Sequence, residues 1–189
     1  MLRYAKALLL AAVLAAPALA QRVTEPTTGL AVQPPPGYGA AVMAAQPPNI
    51  AAIVIRRPQD RDTGCQVAFR PAPANAPFSQ AELNTAIASR TWRDELTRTL
   101  STFYSIEHTE AFQHDGLEGF LLEGMVRIGP ATPSRAKDVR TLFAIMETPR
   151  GRTSVVCVGE RADFAARRIE FLAVVRATTA PAQPATVKP

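Results

Sequence analysis

Cysteine and histidine are nearly absent from this chain: its 189 residues contain two of each. Two cysteines exclude a dense disulfide scaffold. There is no C-x-x-C pair, no Gly-rich phosphate loop, no G-x-S-x-G elbow and no cysteine-protease signature. No collagen-like, coiled-coil or solenoid repeat is visible, and no stretch of four consecutive basic residues occurs. The apolar share of 47% against 20% charged residues is too high for a disordered chain. A chain of this length is expected to form one domain.

The one long apolar run is at the start. Arg3 and Lys6 precede Ala7 to Ala16, and Ala18-Leu19-Ala20 ends the segment with small residues before Gln21. A charged start, a short apolar stretch and a small-residue exit make residues 1–20 an expected signal peptide. The run is about half the ~20 residues that a membrane-spanning helix needs. The mature protein is therefore expected in the periplasm or outside the cell, with no transmembrane span. The net charge of +5 falls to +3 without Arg3 and Lys6. The remaining basic residues are scattered, so nucleic acid is not an expected partner. Eighteen arginines against three lysines suit a GC-rich genome and a Gram-negative bacterium.

Residues 21–28 read as a flexible leader, 29–177 as a single domain and 178–189 as a disordered tail. Gly29 to Gln33 is a short apolar segment stopped by Pro34-Pro35-Pro36, an edge strand at best, and Ala40 to Pro48 shows no pattern. Ile50 to Ile55 suits a strand covered on both faces, and Cys65, Val67 and Phe69 alternate as a half-buried strand. Ser79-Gln80-Ala81-Glu82 is a capping box, with Phe78 and Leu83 at the staple positions. It opens a helix of roughly 20 residues whose stripe is Ala88, Trp92, Leu96, Leu100 and Phe103. Leu83, Ala86 and Ile87 lie off that stripe. Four strands then follow as a meander, turning at His114-Asp115-Gly116 and Pro149-Arg150-Gly151. A last helix, Arg161 to Arg176, has Ala165, Ile169, Leu172 and Val175 as its expected stripe. The fold class is α+β: an antiparallel sheet of about six to seven strands carrying two long amphipathic helices.

The start Gly29-Leu30-Ala31-Val32-Gln33-Pro34-Pro35-Pro36-Gly37-Tyr38 resembles the short strand and P-x-G-aromatic opening of PsbP-like proteins. The capped central helix, the meander and the final helix with Phe164, Ile169 and Phe171 are similar as well. The resemblance covers most of the mature chain. It implies an α/β/α sandwich used as a binding or assembly module, as in extrinsic photosystem subunits, a Ran-binding transport factor and envelope proteins such as DcrB. The paired cysteines and the proline-rich start depart from that pattern, and no functional residue carries over.

The remaining candidates come from residue types. Cys65 and Cys157, each on an expected strand in an oxidising compartment, are expected to form a disulfide; two separate buried thiols are the alternative. His108 and His114, near Glu107, Glu110 and Asp115, are the only metal-ligand candidates, and their spacing matches no known motif. No metal or cofactor is therefore expected. Arg127, Arg135, Lys137 and Arg140 flank the Gly129 to Asp138 loop as a candidate patch for an envelope protein or an anionic surface; a solvated loop is the plainer reading. With no catalytic constellation, the expected function is a non-catalytic envelope module that binds or assists assembly. The alternative is a small-ligand or metal-binding periplasmic domain, possibly hydrolytic.

Overall fold

In the computed structural model, residues 21–182 are described. The signal-peptide reading, and the tail from residue 183 onward, lie outside them. Two short strands, β1 (Val23–Thr24) and β2 (Ala31–Val32), come first. Then follow β3 (Gly39–Met43), β4 (Ala51–Arg56) and β5 (Gly64–Pro71). A helix pair, α1 (Gln80–Ala88) and α2 (Arg90–Ser101), leads to β6 (Tyr104–His114), β7 (Leu117–Val126), β8 (Val139–Thr148) and β9 (Gly151–Glu160). Helix α3 (Phe164–Arg176) and β10 (Thr178–Thr179) close the chain.

The main sheet is antiparallel throughout, in the order β3-β4-β5-β9-β8-β7-β6. The helix pair carries the chain from β5 to the far edge, and the meander β6–β9 returns until β9 lies against β5. The β5–β9 seam thus joins two hairpin systems that are distant in sequence. Helix α3 and the small sheet β1-β2-β10 cover one face. There Ile53, Val67, Phe69, Leu142, Val155 and Phe171 form the larger core. On the other face, Leu96 of α2 packs on Phe120, Leu122, Phe143 and Ile145. The three layers follow from strands whose alternate residues are apolar and from helices that each offer one apolar side.

The capping box forms as expected: Ser79 accepts from the Glu82 backbone N–H, and the Glu82 side chain accepts from the Ser79 N–H. The single long helix does not. Ser89 is extended (φ −67°, ψ 143°), donates its hydroxyl to the Ala86 carbonyl and accepts the Trp92 N–H, so it ends α1 and caps α2. The break explains why Leu83 and Ile87 lie off the stripe: each helix buries its own face, and Phe103, assigned to the stripe, is exposed. In α3 the stripe is rotated. Phe164, Arg167, Phe171, Val174 and Val175 are buried, while Ala165 and Ile169 face outward.

Both ends of the domain extend beyond the expected limits. Ala31–Val32 pairs with Val23–Thr24 on one side and with Thr178–Thr179 on the other, so β2 is a buried central strand of its small sheet. The expected flexible leader is ordered because buried Glu25 ties its own turn. Its carboxylate accepts the Thr27 and Thr28 N–H groups at 2.9 and 2.8 Å and the Thr28 hydroxyl at 2.6 Å. Burial raises the Glu25 pKa, but these hydrogen bonds outweigh it and bring the carboxyl down to about 2. A depressed carboxyl stabilises the fold above its ordinary pKa of 4.5, and that contribution is lost as pH falls toward 2. Glu25→Gln is therefore expected to cost about 2 kcal/mol at neutral pH, from hydrogen bonds to a charged group. Urea titrations across the acid range should show the variant and the parent converging as pH falls through that window.

Candidate binding groove

The burial pattern of β9 locates the open part of the molecule. Every residue of β9 that points toward α3 is buried, whereas Arg152, Ser154, Val156 and Val158, pointing the other way, are only half-buried. Strand β8, next to it, is buried on both faces from Thr141 to Thr148. The helix pair therefore covers the sheet over β7 and β8, reaches β6 at Tyr104 and Ile106, and stops short of β9 and β5.

Where the cover ends there is a groove of about 410 Å³. One wall is α2, through Leu96, Thr99 and Leu100; the floor includes Phe143, Ile145 and Val156. Arg70 and Arg152 stand at its polar end. They occupy opposed positions on β5 and β9 and share the same face. A second cavity of about 480 Å³ adjoins it through Arg152, between α1, Trp92 and the loop carrying Asn75 and Phe78. On the wall of this second cavity, buried Glu147 accepts from Arg152 Nε at 2.6 Å and from Asn75 Nδ2 at 2.9 Å. Trp92 is positioned by edge-on contact with Phe120, ring centroids 6.5 Å apart.

The residues singled out in the sequence do not form this groove. Cys65 and Cys157 oppose each other on β5 and β9 and are joined by a disulfide, which settles the choice between a bridge and separate thiols. They point to the α3 face, into the larger core. His108 and His114 lie on the one strand β6, six residues and so roughly 20 Å apart. His108 is exposed, 3.5 Å from Glu110; His114 Nε2 lies 2.8 Å from the Thr178 carbonyl oxygen. Among the described residues, no three His, Cys, Asp or Glu side chains are grouped to hold a metal ion.

The arginine patch is dispersed. Arg135 binds Asp62 and Glu160 on either side. Arg140 lies on the α3 face, 3.1 Å from Glu107 and 3.4 Å from buried Glu123. Glu123 also accepts from Arg168 Nε at 2.5 Å, and Arg168 donates to Glu110 at 2.8 Å. The Arg168 hydrogen bond holds the Glu110 carboxyl below its usual range. This network fastens α3 to β6, β7 and β8. Arg127 donates from Nε to the Ser101 carbonyl, and Lys137 is exposed. Ser134 and Lys137, which stand at S-x-x-K spacing, are both exposed on a 3-10 turn and line neither cavity.

Arg70 and Arg152 passed unnoticed in the sequence, although a signal existed. Once Cys65 faces Cys157 in an antiparallel pair, the residue five after the first faces the residue five before the second, and those residues are Arg70 and Arg152.

No family model matches the chain, and no curated protein matches it. Among solved structures, it is similar to cyanobacterial PsbP (CyanoP) from Synechocystis sp., with a TM-score of 0.53 and 14% identity, over 85% of this chain and 91% of that one. A protein of unknown function, PA94 from Pseudomonas aeruginosa, is similar at a TM-score of 0.37 and 10% identity, over 80% and 82% of the two chains. The seven-stranded antiparallel sheet between α3 and the helix pair is a PsbP-like fold.

Proposed function

We propose that this chain is an exported binding module of the periplasm, without a reaction of its own, that receives an envelope partner in the groove beside α2. The observation that carries the proposal is the incomplete cover of the sheet: β9 is sealed on one face and half-open on the other. Apolar side chains left at such an edge favour association. Three further features support the reading. The Cys65–Cys157 disulfide suits an oxidising compartment. Residues 1–20 have the makings of a signal peptide. No helix among the described residues is long and apolar enough to cross a membrane.

The test is expression of the full chain in a Gram-negative host, followed by fractionation and site-specific photo-crosslinking. Mature protein beginning at Gln21 is expected in the periplasmic fraction. A crosslinker at Thr99, exposed on the groove wall, should yield a discrete adduct with an envelope component. One at Ile169, exposed on α3, should not. Retention in the cytosol, or equal adducts from both positions, would overturn the proposal.

A further inference from the structure

The polar end of the groove combines two features that oppose folding when left empty. Arg70 and Arg152 are directly opposed across antiparallel strands, where like charges repel. Among the described residues, the one carboxylate paired with either is Glu147, and it engages Arg152 through Nε. The groove itself is lined by both guanidinium groups and by no carboxylate. Its remaining surface is mainly apolar, through Leu96, Leu100, Phe143, Ile145 and Val156, with Asn49, Gln66, Thr99 and Ser154 beside them.

From this charge arrangement we infer that the groove binds a small amphiphile of the fatty-acid type, with one carboxylate head and an aliphatic body. The inference rests on the groove being the working surface of the protein. A carboxylate between two guanidinium groups accepts charge-assisted hydrogen bonds from both and relieves their repulsion. The aliphatic body lies along α2 over Phe143 and Ile145, displacing water from apolar surface. A volume of about 410 Å³ falls within the range of small-molecule sites. The cations are confined to one end, which separates this occupant from an acidic peptide. A segment with several carboxylates would bring the others beside Leu96 and Phe143, where the lining offers no further cation.

The test is calorimetric titration of the mature full chain with decanoate, decanol and decyltrimethylammonium. Decanoate is expected to bind saturably and about a hundredfold more tightly than decanol, the worth of two charge-assisted hydrogen bonds. The ammonium compound should not bind. Arg70→Gln, at an exposed position, should weaken decanoate about tenfold and leave decanol unchanged. Ser154→Phe, which fills the groove, should abolish both. Arg70 is the better probe because removing Arg152 would leave Glu147 buried without its main partner. Equal affinity for decanoate and decanol, or no effect of Arg70→Gln in a variant with unchanged melting temperature, would overturn the ligand class and leave the groove standing. If none of the three binds while Thr99 still crosslinks an envelope component, the inference fails and the binding module survives. Failure of both removes the groove as the working surface.

Discussion

Reducing the Cys65–Cys157 disulfide is expected to lower the melting temperature by about 10–20 °C. The bridge spans 92 residues, and closing a loop of that size in the unfolded chain is worth about 4–5 kcal/mol in the chain-entropy model. For a domain of this size each kcal/mol corresponds to about 2–4 °C. The location makes the effect large. Strands β5 and β9 are far apart in the chain, with the helix pair and three strands between them, and their pairing joins the two halves of the sheet. In the oxidised unfolded chain these strands are already tethered near register, whereas the reduced chain must find the pairing through a long loop. Calorimetry with and without reductant measures the shift, and urea titration of the double Cys65→Ala, Cys157→Ala variant measures the free energy. Reductant should leave the double variant unaffected. A loss below about 1 kcal/mol would show that strand packing alone holds the seam.

The parts of the fold legible in the sequence were those carried by local pattern. Cys65, Val67 and Phe69 alternate because one face of β5 looks into the larger core, and Ser79 with Glu82 announces a helix start through hydrogen bonds within four residues. What was illegible depended on partners far along the chain. Strand β3 has no pattern because it is an edge strand with most of its residues exposed. Strands β2 and β10 are two residues each, and β10 pairs with β2 alone, Val32 and Thr178 being 146 residues apart in number but adjacent in register. The break at Ser89 involves neither proline nor glycine. Its only trace was the mismatch between Leu83 with Ile87 and the later stripe, which a second helix direction resolves.

The candidate groove was less legible than the fold, for a related reason. His108, His114 and the Arg127–Arg140 group drew attention as neighbours in sequence, but proximity along a strand separates side chains at 3.3 Å or so per residue. Arg140 turns out to be satisfied by Glu107 and Glu123, and Arg135 by Asp62 and Glu160. The unneutralised guanidinium at Arg70 comes from a strand 82 positions away from Arg152, and only the β5–β9 register brings them together. A charge becomes a candidate site when its surroundings leave it without an opposite charge, and those surroundings are tertiary.

The same reasoning predicts what happens when a buried charge is stripped of its partner. Arg167 and Asp60 are both about 3% exposed in their side chains and meet in a two-pronged ion pair, Nη1 to Oδ1 and Nη2 to Oδ2, each 3.1 Å. Arg167 also lies over the Phe171 ring, 5.0 Å from its centroid, while its Nε stands 3.2 Å from Glu170 without hydrogen-bond alignment. Asp60 belongs to the turn between β4 and β5, where its carboxylate accepts the Arg57 N–H at 3.0 Å, so the pair ties α3 to that turn. Arg167→Met keeps much of the packing and leaves the buried carboxylate with Arg57 alone, whose Nη2 stands 3.3 Å from Oδ1. Losing the two-pronged pair is expected to cost about 2–3 kcal/mol, since hydrogen bonds to a charged group go while Arg57 keeps the carboxylate partly compensated. The pH dependence distinguishes this cause from lost packing. In the parent, burial raises the Asp60 pKa, but the Arg167 hydrogen bonds, with the Arg57 N–H, pull the carboxyl below its ordinary 3.8. The parent therefore keeps this stabilisation above that value and loses it as pH falls through the depressed pKa. Without Arg167, burial is opposed only by Arg57 and the carboxyl moves back up, so acidification removes a charge that the variant holds less well than the parent. The deficit of Arg167→Met, measured by urea titration, should be largest near neutral pH and shrink toward pH 3 to 4, roughly where the ordinary carboxyl titrates. The double variant Asp60→Asn, Arg167→Met should recover part of the loss and show little of that dependence. A deficit that stays constant with pH, or a cost below about 1 kcal/mol, would mean that the pair positions α3 by shape and contributes little through charge.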